Sequence, residues 1–111
     1  MINFIHHILQ ECNYLSGLIN EGLTKEELLS DKTLQRAVSR SIEIIGEATK
    51  NIDKDFRREH EDIEWKEMAG MRDRLIHNYL GVNYHIIWDV IVHKIPPLTR
   101  KIQKIIDEEN Y

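Results

Sequence analysis

The sequence predicts an all-α fold, an antiparallel bundle of four to five helices forming a single domain over residues 1–111. Three observations predict it. Apolar residues recur at intervals of three and four along each long segment. Alternating apolar–polar runs between turn residues, the mark of strands, are missing. Residues suited to capping helices (Thr24, Asp31, Asp62 and Asn83) stand just before the periodic stretches.

The first stripe is Ile5, Ile8, Cys12, Leu15 and Ile19, and Gly22 ends it. Thr24 with Glu27 three residues on forms a capping-box pattern, so a short helical turn is expected over Thr24 to Ser30. Asp31 opens the next helix. Its apolar stripe is Leu34, Val38, Ser41, Ile45, Ala48 and Ile52, with Arg36, Arg40, Glu43, Glu47 and Lys50 on the opposite face. Asn51 to Asp62 reads as a charged connection with a short helical turn around Phe56. Asp62 is the expected cap of a third main helix reaching Tyr79, stopped by Gly81. Asn83 opens the last segment, with the stripe Ile87, Ile91, Ile95, Leu98, Ile102 and Ile105. That register runs straight through Pro96-Pro97. Two prolines remove two backbone donors and clash with the preceding turn, so a kinked helix or two helices end to end are expected, not a reversal.

Composition narrows the function classes. A hydrophobic content of 41% beside 31% charged residues is ordinary for a soluble domain. No apolar run is long enough to span a bilayer, and Met1 to Gln10 lacks the basic start and unbroken apolar stretch of a signal peptide. Cys12 is the single cysteine, so an internal disulfide is impossible. These features together lead to an expected cytoplasmic location. The formal net charge of −4 argues against gripping nucleic acid through a generally basic surface. A local positive groove would still serve a short single-stranded substrate, with weak, salt-sensitive binding.

The informative stretch is Gly70-Met71-Arg72-Asp73-Arg74-Leu75-Ile76-His77-Asn78-Tyr79. On a helix Met68, Arg72, Leu75 and Tyr79 share a stripe, and Asp73 and His77 are neighbours four apart. Asp73 could therefore fix the tautomer of His77. Arg72 and His77 lie about 140° apart around the axis with a rise of roughly 7.5 Å. One helix aims them poorly at a common point, whereas two such helices related by a two-fold axis could bring them into one cleft. A histidine exchanges protons near neutrality, and an arginine matches phosphate oxygens. Such a pair suits RNA phosphodiester cleavage with the ribose 2′-OH as nucleophile, needing neither metal nor cofactor. Spacing alone favours the plainer alternative of a surface arginine and a partly satisfied histidine.

Arg72-x4-His77-x-Tyr79 resembles the Arg-x4-His-x-Tyr motif of the HepT-like branch of HEPN proteins. The similarity extends to Ile63-Glu64-Trp65, Ala69-Gly70-Met71-Arg72, Leu75-Ile76-His77, Arg40-x-Ile42-Glu43-Ile44-Ile45-Gly46-Glu47-Ala48, Trp88 and Ile95-Pro96. It covers nearly the whole chain and is weakest in the first segment. The resemblance implies a helical HEPN bundle that forms a homodimer with the motifs facing across the interface. It implies a metal-independent endoribonuclease toxin, with Arg72 and His77 as catalytic residues. It also implies a partner, a minimal nucleotidyltransferase antitoxin, which in related pairs transfers AMP to the tyrosine equivalent to Tyr79. The alternative is a non-catalytic helical module that binds a nucleotide or partners a nucleotidyltransferase.

Other residues carry weaker signals. Glu47 is either a solvated carboxylate or a support for Arg72. Gly46, costly inside a helix, suggests a close helix approach. None of the six histidines pairs at metal-ligand spacing, so no metal is expected. Cys12 reads as core, not nucleophile. Lys94, Arg100, Lys101 and Lys104 form either a solvated face or a rim guiding RNA. Trp65 and Trp88 read as packing residues.

Overall fold

The structure, a computed structural model, describes residues 2–75 and 81–109. Every regular element among the described residues is helical: α1 (Ile2–Asn20), α2 (Lys25–Ser30), α3 (Lys32–Lys50), α4 (Lys54–Glu59), α5 (Trp65–Leu75), α6 (Tyr84–Asp89), a π-helical turn (Val90–Lys94) and α7 (Ile95–Glu109).

The expected punctuation is visible in hydrogen bonds. Gly22 adopts φ 101°, a conformation other residues rarely take. With it, Leu23 N–H donates to Leu18 C=O at 2.9 Å and Gly22 N–H to Ile19 C=O at 3.1 Å, a Schellman closure of α1. Thr24 and Glu27 form the capping box of α2. Asp31 serves twice: its N–H closes α2 on Glu27 C=O, and its carboxylate accepts from Leu34 N–H at 3.1 Å to open α3. Asn83 caps α6 by accepting from His85 and Ile86 N–H.

The start of α5 differs from expectation. Asp62 does not cap it; the helix begins at Trp65. A tight turn intervenes, with Ile63 N–H donating to His60 C=O and Trp65 N–H to Ile63 C=O. The indole Nε1 of Trp65 also donates to His60 C=O at 2.9 Å. Anchoring the buried Trp65 ring against Phe56 takes precedence over an early helix start. Asp62 instead offers its carbonyl to Lys101 Nζ at 2.7 Å, tying this turn to α7. The expected continuation of the helix to Tyr79 lies outside the described residues. Beyond it, Gly81 has φ 104°.

The last segment runs on as one helical rod from Tyr84 to Glu109, without reversal at the prolines. Its register is adjusted just before them. Ile95 N–H donates to Val90 C=O, five residues back, widening the turn beneath the Pro96 and Pro97 rings. A π turn accommodates rings that would strike the carbonyls of a regular α turn.

Periodicity placed most of the core; Ile19 and Leu34 of the expected stripes are half-buried, and Ile42, beside the stripe, is fully buried. Ile5, Ile8, Cys12 and Leu15 of α1, Val38, Ile42 and Ile45 of α3, and Ile87, Ile91, Ile95 and Ile102 of the terminal rod are fully buried. Each such aliphatic side chain contributes about 1.5–3 kcal/mol on burial. α1 packs on α3 and α7, α3 packs on α5, and α2 packs on α6. Ser41 of α3 faces Glu11 of α1, while Phe4 and His7 face the Glu47–Asn51 end of α3. These two helices are therefore antiparallel. α3 thus packs between α1 and α5, and Trp65, Met68 and Met71 of α5 join the same core.

Candidate functional site

The site is built where α5 crosses α3. Gly46 makes that crossing possible. A Cβ placed there would stand 3.3 Å from Arg72 Cβ, 3.5 Å from the Met68 carbonyl oxygen and 3.6 Å from Arg72 N. Removing one side chain from α3 lets the α5 backbone seat directly on it. Arg72 then projects along the polar stripe of α3.

Three carboxylates meet its guanidinium. Nε lies 3.8 Å from Glu43 Oε2, and Nη1 lies 3.5 Å from Glu47 Oε1 and 3.9 Å from Asp73 Oδ1. Lys50 Nζ stands 3.9 Å from both Glu47 Oε1 and Asp73 Oδ2. Arg72, Glu47, Lys50 and Asp73 therefore form a closed ring of alternating charge. Arg40 extends it, with Nη1 3.9 Å from Glu43 Oε2. Three acids (Glu43, Glu47, Asp73) balance three bases (Arg40, Lys50, Arg72), so the cluster has no net charge. Arg72 and Glu43 are the sheltered pair, 29% and 28% exposed, while Glu47 and Asp73 are more than half exposed. The exposed pairs contribute at most about 1 kcal/mol each. The network's main effect is to orient Arg72.

Of the residues singled out in sequence, Arg72, Asp73 and Glu47 come together here. His77 and Tyr79 lie outside the described residues. Both carboxylate oxygens of Asp73 already face cations, Arg72 and Lys50. Glu43 and Lys50, on the polar stripe of α3, join the cluster without having been candidate site residues in the sequence. Their spacing relative to Glu47, four before and three after, with Gly46 marking the crossing, is the signal that could have found them.

Cys12 is buried among apolar neighbours. Burial pushes its thiol from an ordinary value of 9.0 up to about 12, Thr99 opposing through a hydrogen bond and Glu11 adding to the rise. It is unsuited to act as a nucleophile. Among the described residues no group of His, Cys, Asp and Glu is arranged to hold a metal ion, and no helix is long and apolar enough to cross a membrane. Trp65 is buried and Trp88 half-buried.

A groove of about 490 Å³ lies on another side of α5 and is not lined by Arg72. Met68, Met71 and Leu75 form one wall; Ile86, Val90 and Leu98 form part of the other. Lys94 and Lys101 of the basic last helix edge it opposite Glu64 and Glu67. A hydrogen bond between those two carboxyls lowers the Glu64 value, with Lys94 assisting, and raises that of Glu67. Its walls are largely apolar, and its titratable groups, Glu64, Glu67 and His93 among them, stand apart from the Arg72 motif. The polar crossing at Arg72 is the better chemical candidate. A smaller cleft of about 180 Å³ adjoins that crossing, between α1 and α3.

Comparison with known proteins agrees with the motif. A family profile described as ribonuclease HepT-like matches residues 5–105. A protein of Caldanaerobacter subterraneus subsp. tengcongensis, named as a candidate RNase, is 49% identical over 106 residues, 96% of this chain and 94% of that protein. A protein of Methanocaldococcus jannaschii with the same kind of name is 43% identical over 105 residues, 95% of this chain and 86% of its own length. One from Thermococcus cleftensis, named as a candidate ribonuclease HepT, is 51% identical over 80 residues, 72% of this chain and 73% of that protein. No solved structure matches at a significant level.

Proposed function

The chain belongs to the HepT-like ribonuclease family, and from that premise we propose that it is a metal-independent endoribonuclease, active as a homodimer. His77 acts as general base and takes the proton of a ribose 2′-OH. The 2′-oxygen attacks the adjacent phosphorus, and the bond to the 5′-oxygen breaks. That oxygen leaves with a proton from solvent. Arg72 stabilises the negative charge gathering on the phosphoryl oxygens. The products are a 2′,3′-cyclic phosphate and a 5′-hydroxyl.

The observation that carries this proposal is the seating of Arg72. Its backbone is locked over Gly46 and its guanidinium is oriented by Glu43 and Glu47. The carboxylates approach at Nε and Nη1, so phosphate meets the Nη2 side of the fork. With a neutral cluster and an acidic chain, RNA is not drawn in by a broad positive field. Binding depends instead on the pre-organised contact at Arg72. Asp73 holds His77, and the cleft is completed by a second protomer.

In this proposal the chain is the toxin of a toxin–antitoxin pair, and its partner is a minimal nucleotidyltransferase. Transfer of AMP to Tyr79 would place a bulky anion on the Arg72 stripe and close the site. The carboxylates crowding Arg72 favour one alternative, a non-catalytic nucleotide-binding module. End analysis separates the two. Single-stranded RNA incubated with the purified protein in EDTA should yield fragments ending in 2′,3′-cyclic phosphate. Cleavage that needs added metal, or that leaves 3′-hydroxyl ends, would overturn the mechanism.

A further inference from the structure

The cleft between α1 and α3 is lined by Phe4 and His7 from α1 and by Arg40, Ile44, Glu47, Ala48 and Asn51 from α3. We infer that it is a nucleobase subsite, receiving the base of a nucleotide whose phosphate lies at Arg72. The inference rests on the ribonuclease proposal for its RNA substrate.

Its lining has the chemistry a base requires. Phe4 is a half-buried aromatic at one wall, and base–aromatic stacking is a main source of affinity for single strands. Ile44 and Ala48 supply apolar surface. His7 and Arg40 are exposed donors, and Glu47 is an acceptor, so the edge of a seated base meets both kinds of partner. The amide of Asn51 is held by its Nδ2 donating to Glu47 C=O at 2.9 Å, leaving Oδ1 as its acceptor. A volume of about 180 Å³ suits one base.

Its position ties it to the chemistry. Glu47 lines the cleft and also stands 3.5 Å from Arg72 Nη1. Arg40 lines it and reaches Glu43, which meets Arg72 Nε at 3.8 Å. Cleft and guanidinium are separated by a single carboxylate, that of Glu47. α1 and α3 thus receive the base, while α5 supplies Arg72 to the phosphate.

The test uses the whole protein and a single-stranded RNA library of random sequence, with cut sites read by sequencing. Wild type should favour particular bases at one position flanking the cut. Phe4→Leu, which keeps an apolar side chain but removes the ring, should flatten that preference and lower kcat/KM by between about 5-fold and about 150-fold. His7→Ala, at an exposed position, should flatten it too and serves if Phe4→Leu perturbs folding. Unchanged preference and unchanged kcat/KM in both variants would overturn the subsite while leaving the ribonuclease proposal intact. A binding arm works without cleavage: the ring NMR signals of Phe4 and His7 are followed while AMP, GMP, CMP and UMP are added. Saturable shifts support the subsite even if no RNA is cut, which would defeat the ribonuclease proposal alone. No shift with any of the four overturns it.

Discussion

Gly46 and Arg72 touch across the crossing of α3 and α5, so closely that a Cβ on Gly46 would lie 3.3 Å from Arg72 Cβ. Arg72 Cβ is fixed to the α5 backbone and cannot swing aside as the tip of a long side chain could. The absence of one side chain on α3 thereby sets the position of Arg72.

Substitution at Gly46 should separate helix propensity from packing. Alanine gains about 1 kcal/mol of propensity, which offsets part of the cost of pushing α5 away. Gly46→Ala should therefore change stability little but lower RNA cleavage. Gly46→Val, larger and β-branched, should destabilise by about 1–3 kcal/mol. Urea denaturation midpoints, at unchanged slope, check both. A Gly46→Val protein as stable as wild type would show that the helices are not held in contact there.

Glu47→Gln should leave stability within about 1 kcal/mol, because the carboxylate is 53% exposed and its ion pairs are screened. Its effect should fall on chemistry. With Arg72 less firmly aimed, cleavage should drop, by up to about 100-fold. Thermal melts and cleavage rates measured side by side would expose the opposite pattern, a large melt shift with normal cleavage.

A cleft shared by two protomers predicts complementation. Arg72→Ala and His77→Ala proteins should each be inactive alone. Mixed and allowed to exchange subunits, they should regain cleavage, because a mixed dimer retains one intact Arg72 opposite one intact His77. Failure to regain activity in a verified mixed dimer would place both groups of a working site within one chain.

Cys12 should make the protein alkali-sensitive. Folding holds its thiol protonated up to about 12, whereas the unfolded thiol ionises near 9.0. Between those values the unfolded chain binds fewer protons, so stability falls as pH rises, by about 1.4 kcal/mol per pH unit. Below 9.0 the thiol contributes no pH dependence. Cys12→Ala should remove that slope, whatever it costs in packing. Denaturation series across this alkaline window would reveal it, and an unchanged slope in the variant would assign the sensitivity to other groups.

The parts of the fold legible in sequence are those governed by local periodicity and caps. The stripes beginning at Ile5, Leu34 and Ile87 follow from helical repeat and burial alone, and Thr24, Asp31 and Asn83 cap where expected because their hydrogen bonds are local. Asp62 misled because the Trp65 indole bond to His60 is a tertiary anchor that delays the helix. The π turn before Pro96 was visible only as a conflict between unbroken register and missing donors. At the site, Gly46 and Glu47 were readable as candidates. Glu43 and Lys50 joined them only once the crossing of α3 and α5 fixed which polar residues face Arg72. The Phe4–His7 cleft was not legible, since its lining comes from two helices far apart in sequence.

The central claim, that Arg72 and His77 carry metal-free RNA cleavage, is tested most directly by comparing wild-type and His77→Ala proteins on single-stranded RNA in EDTA, with folding and assembly state verified for both. Wild type should cleave, and His77→Ala should lose about 100-fold to about 10,000-fold in rate, the usual contribution of a general base. Cleavage by His77→Ala at the wild-type rate would contradict the account.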